Sequence, residues 1–115
     1  MQYMLLIYAN ETEMANRSQQ ESGQVMAAYG AYTEALKKAG ALVSADRLKS
    51  VSTATTVRVA DGKTQVLNGP YAESKEQLGG YYLVEAPDLD AAIAWAARCP
   101  GAGIGTVEVR PVWQM

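Results

Sequence analysis

Glu108 and Arg110 stand two residues apart in the run from Thr106 to Trp113, so on a strand they share one face. Such a pair forms a cross-strand or intersubunit ion pair. If that face lines a cavity, it is instead a general base beside a guanidinium fork for a carboxylate or phenolate. Glu73, Lys75 and Glu76 crowd a second polar segment. In solvent this is a mixed-charge loop; turned inward, Glu73 in an apolar pocket becomes a general base and Lys75 neutralises an anionic substrate. Immediately before it, Asn68-Gly69-Pro70-Tyr71 reads as a turn, because Asn-Gly tolerates positive φ and Pro70 fixes the next one. The same rigid turn would hold Tyr71 at the mouth of a cleft. Arg47, near the end of a second strand, can join Arg110, and Tyr82 can donate a hydrogen bond to the same region.

Other chemistries are excluded by composition. There are no histidines, which removes the usual base near neutral pH, the commonest metal ligand and every Ser–His or Cys–His device. The lone cysteine, Cys99, forbids an internal disulfide, lacks a histidine to activate it and fits a reducing compartment. No spacing suggests a metal site, and Gly101, Gly103 and Gly105 match no phosphate-binding loop, reading instead as a flexible connection, so neither metal nor cofactor is expected. Ten Lys and Arg against twelve Asp and Glu leave a formal charge of -2, too weak a field for a nucleic-acid backbone. The opening MQYMLLIYANE lacks a basic signal-peptide start, and no run approaches the ~20 apolar residues of a membrane span. The expectation is a cytoplasmic protein.

The elements that must position these groups follow from periodicity. At 115 residues and 49% apolar, the chain is long enough for one domain, residues 1–115, and too short for two. Gln2 to Tyr8 reads as a strand with Tyr3, Leu5 and Ile7 on one side and Met4, Leu6 and Tyr8 on the other. Asn10 to Asn16 reads as a loop. Ser18 with Glu21 makes a capping box for a helix striped by Val25, Tyr29, Tyr32 and Leu36, which ends at Gly40. Ala41 to Leu48 is the second strand. Thr55–Val59 and Thr64–Leu67 form a hairpin around Asp61-Gly62. Tyr81 to Glu85 is a further strand, with Tyr82 and Val84 on one side and Tyr81 and Leu83 on the other. Asp88 caps a helix whose buried face is Leu89, Ile93 and Ala96, bordered by Trp95, and the last strand closes the chain.

Without the hairpin, the order is strand, helix, strand, then strand, helix, strand. This predicts an α+β fold, the ferredoxin-like split βαβ arrangement with an inserted β-hairpin. Two helices cover one side of such a sheet, yet the first strand is apolar on both. A second copy packed sheet to sheet is the simplest cover, so a homodimer is expected.

The run NGPYAESKEQLGGYYLVE, from Asn68 to Glu85, resembles the DGPF signature of the YCII-related family and the GGYYL strand that follows it. The opening MQYMLLIY, the segment TATTVRV from Thr53 and the closing VEVRPVW are similar too, so the resemblance spans nearly the whole chain. It implies a dimeric α+β barrel joined through the sheets and says little about substrate. The motif's usual Asp is Asn68 here and its usual Phe is Tyr71; an amide exchanges no proton near pH 7, so position 68 has no acid–base role. The family's associated His–Asp pair cannot be carried over to a chain without histidine. Any catalysis falls to Glu, Asp, Lys or Tyr, with Glu73 and Glu108 as candidate bases and Arg47, Asn68, Tyr71, Lys75, Tyr82 and Arg110 as candidate binding residues. Two functions remain open. One is proton-transfer catalysis on a small aromatic or anionic molecule in a cleft by the sheet face; the alternative is a non-catalytic ligand-sensing or regulatory dimerisation module.

Overall fold

A computed structural model describes residues 1–114. The strands are β1 (Gln2–Ala9), β2 (Leu42–Arg47), β3 (Thr55–Ala60), β4 (Lys63–Asn68), β5 (Gln77–Glu85) and β6 (Thr106–Pro111). The helices are α1 (Glu11–Ala15), α2 (Gln19–Lys38), α3 (Leu89–Arg98) and α4 (Pro100–Ile104), with a 3-10 turn at Val51–Thr53. The fold is α+β with two antiparallel sheets: a four-stranded one in the order β2-β5-β1-β6, and β3–β4 apart from it. The four-stranded sheet is open in a single chain, not a closed barrel.

Local chemistry sets the ends of the long helix. The Ser18 side chain accepts from the Glu21 amide at 3.1 Å, satisfying an amide that has no partner within the helix. At the other end Gly40, at φ +69, lets its own amide reach the Lys37 carbonyl and the Ala41 amide reach that of Leu36, at 3.0 and 2.9 Å. The chain then turns directly into β2. In the hairpin Asp61 and Gly62 both take positive φ (52 and 72), the backbone twist that a two-residue turn between antiparallel strands demands.

The helices α2 and α3 each connect two strands that flank a strand of the other unit. Both helices lie on one face. Tyr3, Leu5 and Ile7 of β1 and Tyr82 and Val84 of β5 meet Tyr32 and Leu36 of α2 and Ala92 and Ala96 of α3 in one buried cluster. Leu5, Leu36 and Val84 are its fully buried large side chains, each contributing about 1.5–3 kcal/mol through burial. Tyrosine hydroxyls within the cluster find partners: Tyr32 donates to the Trp95 carbonyl at 2.8 Å, and Tyr82 lies 2.7 Å from the Thr33 hydroxyl.

Four local expectations are corrected. Residues 11–15, expected as loop, form α1, because Asn10 caps the Glu13 amide at 3.0 Å. The glycine-rich stretch 101–104 is the short helix α4, started by Pro100 at its first position. Strand β5 begins at Gln77, four residues before the expected Tyr81, since Leu78 and Gln77 continue the pairing with Tyr8 and Ala9 across a bulge. Finally, α3 is turned from its expected setting: Ala96 is buried as expected, but Leu89 and Ile93 are each 48% exposed and Ala92 is buried in their place. Two alanines one turn apart let the helix approach closely, and Trp95 fills the margin against Tyr32.

Two outcomes follow. In urea unfolding, Leu5→Ala is expected to lose about 2–5 kcal/mol, and Ala96→Leu about 1–3 kcal/mol by overpacking. Ile93→Ala should stay within about 0.5 kcal/mol, as surface changes do; equal losses at positions 93 and 5 would contradict this setting of α3. Burial, the largest influence, pushes the Tyr29, Tyr32 and Tyr82 phenols above their ordinary value of 10.0. A raised folded-state value means stability that is full below the ordinary tyrosine value and lost as pH climbs past it. Absorbance at 295 nm should therefore show these tyrosines ionising together with loss of tertiary circular dichroism, not ahead of it.

Candidate functional site

Alternation along β1 places Met4 and Leu6 on the face away from the helices, and the pairing register carries that face across the sheet. Leu6 stands opposite Tyr81 on one side and Glu108 on the other, and Tyr81 stands opposite Asp46. The adjacent row runs Ser44, Leu83, Met4, Arg110. The open face thus has a half-buried apolar centre, Met4, Leu6 and Leu83, between two polar margins. Asp46 and Glu108 are three strand spacings apart, roughly 14 Å.

Each margin is a hydrogen-bonded pair. Tyr81 donates to Oδ2 of Asp46 at 2.7 Å, and this bond is the main reason that its phenol is held above its ordinary value. On β6 the Nε of Arg110 lies 2.5 Å from Oε2 of Glu108, an ion pair within one strand. The Asp46 margin depends on Gly80: a Cβ there would meet the Asp46 carbonyl oxygen at 2.9 Å, so a side chain would push β2 off the sheet. A carboxylate held by a phenol can accept a proton from an acidic ligand atom, and the phenol fixes which oxygen is presented. Among the described residues no element covers this face. The grooves between α2 and α4 and beside Arg47–Ser50 are shallow and open as well.

The expected residues do not converge on this face. Glu108 and Arg110 are there. Tyr82 is not: it points to the helices, with its ring edge-on to Tyr32 at 5.1 Å between centroids. Arg47 also lies towards the helix side, its Nη1 3.7 Å from the Met26 sulfur, and at the far edge from Arg110. The turn at Asn68–Tyr71 folds back on the hairpin. Gly69 donates to the Ala54 carbonyl at 2.8 Å, and Tyr71 packs under the Arg58 guanidinium, 5.2 Å from its ring centre. Glu73 and Lys75 are exposed in the loop before β5, and neither takes part in an ion pair among the described residues. Glu76, next to them, accepts from the Thr106 hydroxyl at 2.7 Å and ties that loop to β6. Cys99 is buried, and burial, the main influence, raises its thiol value, the opposite of what a nucleophile needs. Among the described residues no cluster of three His, Cys, Asp or Glu could hold a metal.

Asp46 and Tyr81 are the pair that sequence reasoning missed. The signal was in the alternation: Val84, Tyr82 and Gly80 share one side of β5, which leaves Tyr81 with Leu83 on the other. Two adjacent tyrosines hide that choice until the pairing of Leu5 with Tyr82 fixes it.

The YCII-related domain model matches residues 1–115. An uncharacterised protein of Rhizobium meliloti is 37% identical over 114 residues, which is 97% of this chain and 92% of that protein. With a match along the whole of its length, this chain belongs to the YCII-related family.

Proposed function

We propose that the chain works as a homodimer whose open sheet faces meet, and that the space between them binds a small organic molecule with an apolar body and an anionic or phenolic group. The observation that carries this is the uncovered sheet face, an apolar centre flanked by the Tyr81–Asp46 and Glu108–Arg110 pairs. A face of this kind is seldom left to water, and a two-fold axis would supply the cover from an identical face. The strand order β2-β5-β1-β6, with two helices behind it, supports a ferredoxin-like split βαβ unit, and two such sheets face to face would make the dimeric α+β barrel.

In this reading the apolar body rests on Met4, Leu6 and Leu83. Arg110 shifts from Glu108 to grip the anionic group, and Asp46, held by Tyr81, takes a proton from the ligand's acidic atom. Glu108 would serve as a second carboxylate. Glu73 and Lys75 would act at the rim: both are exposed, in a loop that Glu76 ties to Thr106 on the same side of β6 as Glu108 and Arg110. A cytoplasmic location suits the single thiol, and no helix among the described residues is long and apolar enough to cross a membrane.

A second reading, ligand sensing without chemistry, is favoured by one feature: each margin is already satisfied by its own partner. Such pairs can reorganise around a ligand without transferring a proton.

Sedimentation at micromolar concentration should give the dimer mass, and Leu6→Lys should shift it to the monomer with an unchanged far-ultraviolet spectrum. A monomeric parent chain overturns the proposal. A panel of small aromatic acids, followed by thermal shift and by NMR of both protein and ligand, tests the site. Asp46→Asn and Tyr81→Phe should weaken binding about 10-fold each, the effect of losing roughly 1.4 kcal/mol at a charge-assisted contact. Turnover of the ligand that Asp46→Asn abolishes supports proton transfer; saturable binding with an unaltered ligand selects the sensing reading.

A further inference from the structure

We infer that the β3–β4 hairpin is an arm that lies against a second copy of this chain, with the face formed by Val57, Val59 and Val66 packed on the partner. This rests on the dimer proposed above and adds to it the hairpin's role.

The two faces of the hairpin differ. Val57 pairs with Val66 and Val59 with Thr64, so these residues share one side. Arg58, Gln65 and Lys63 take the other, where Tyr71 stacks against Arg58. The chain's own turn touches the polar side at Arg58 and leaves Leu67 on that side 59% exposed, while among the described residues no element packs on the valine side: Val57, Val59 and Val66 are 58%, 69% and 63% exposed. A lone two-stranded ribbon is marginal in water, and needs packing against something else to persist. Beyond each other, β3 and β4 make no more than glancing contact with any element.

The arm is nevertheless anchored firmly at its root. Thr56 donates to the Gly69 carbonyl at 2.8 Å, and Glu11 accepts from the Ser50 hydroxyl and the Val51 amide at 2.7 and 3.1 Å. Its direction is outward. The chain measures 48 × 44 × 18 Å, with a radius of gyration of 16.1 Å, whereas a compact domain of this length has about 13 Å. A hairpin folded over the chain's own sheet or helices would add a third layer about 10 Å thick, and the 18 Å dimension leaves no room for one.

Area selects the second copy as the occupant. Four strands of about six residues offer a face of roughly 400 Å². That is about half of the ~800 Å² that each partner contributes to a standard stable interface. An arm of two such strands gives roughly 200 Å² more, and two-fold symmetry brings each copy a matching arm from its partner, which closes the gap.

Hydrogen exchange of the β3–β4 amides, measured across the protein concentrations over which sedimentation shows dimer forming, tests this directly. Protection of residues 55–68 should rise with dimer population, and Val59→Lys and Val66→Lys should each raise the dimer dissociation constant at least 10-fold. Exchange independent of concentration, together with parental dimerisation in both variants, overturns the arm; if Leu6→Lys still breaks that dimer, the sheet-to-sheet reading stands alone. A chain that stays monomeric at every concentration overturns both. Should a lysine variant fail to fold, exchange in the parent chain still decides.

Discussion

Everything in this fold hangs on β1 being apolar on both of its sides. It is paired on both edges, with β5 and β6, and so exposes only its two faces. Tyr3, Leu5 and Ile7 drive the two helices onto one face, where Leu5 and Leu36 lose all contact with water. Met4, Leu6 and Tyr8 line the other face, where no element among the described residues covers them. A sheet with one solvated side ordinarily alternates apolar and polar residues. This central strand does not, and Met4 and Leu6 are left half-buried on the open face.

The way the helix layer is built keeps that face separate from the core's polar groups. Tyr82 and Tyr32 place their hydroxyls on Thr33 and on the Trp95 carbonyl, so the tyrosines under the helices are satisfied without reaching through the sheet. Cys99 sits in the same buried cluster. The potential acids inside the core are thus held neutral by burial, and the groups with free access to a ligand are on the opposite side. Core and candidate site share a sheet but not a face.

Much of the architecture could be read from local signals that are decided by a few residues at a time. Ser18 with Glu21, Lys37 with Gly40, Asp61 with Gly62 and Asp88 each announce a helix end or a turn, and each does so in the structure. What local signals could not give was a rotation or a register. On α3 the Leu89–Ile93 row and the Ala92–Ala96 row are neighbours on the helix surface; hydrophobicity favours the first, and close approach to the sheet selects the second. On β5 the two tyrosines are interchangeable to any pattern argument, and only pairing with β1 settles which reaches the open face. Asp46 remained hidden for the same reason, because its significance comes from a cross-strand neighbour 35 residues away.

The chemistry and the missing cover point the same way. Without histidine, proton transfer near neutral pH falls to groups whose ordinary values, about 4 for a carboxylate and 10 for a phenol, both lie far from 7. A carboxylate in open water is a weak base, and removing water is the general means by which proteins raise its value towards neutrality. The open face cannot do this alone, since Asp46 is exposed in the single chain. In the proposed dimer a second sheet would exclude water from the hydrogen bond that Tyr81 donates to Asp46. On that proposal the contact that hides Leu6 from water also encloses the Tyr81–Asp46 pair, so that assembly and the candidate site would depend on one and the same surface.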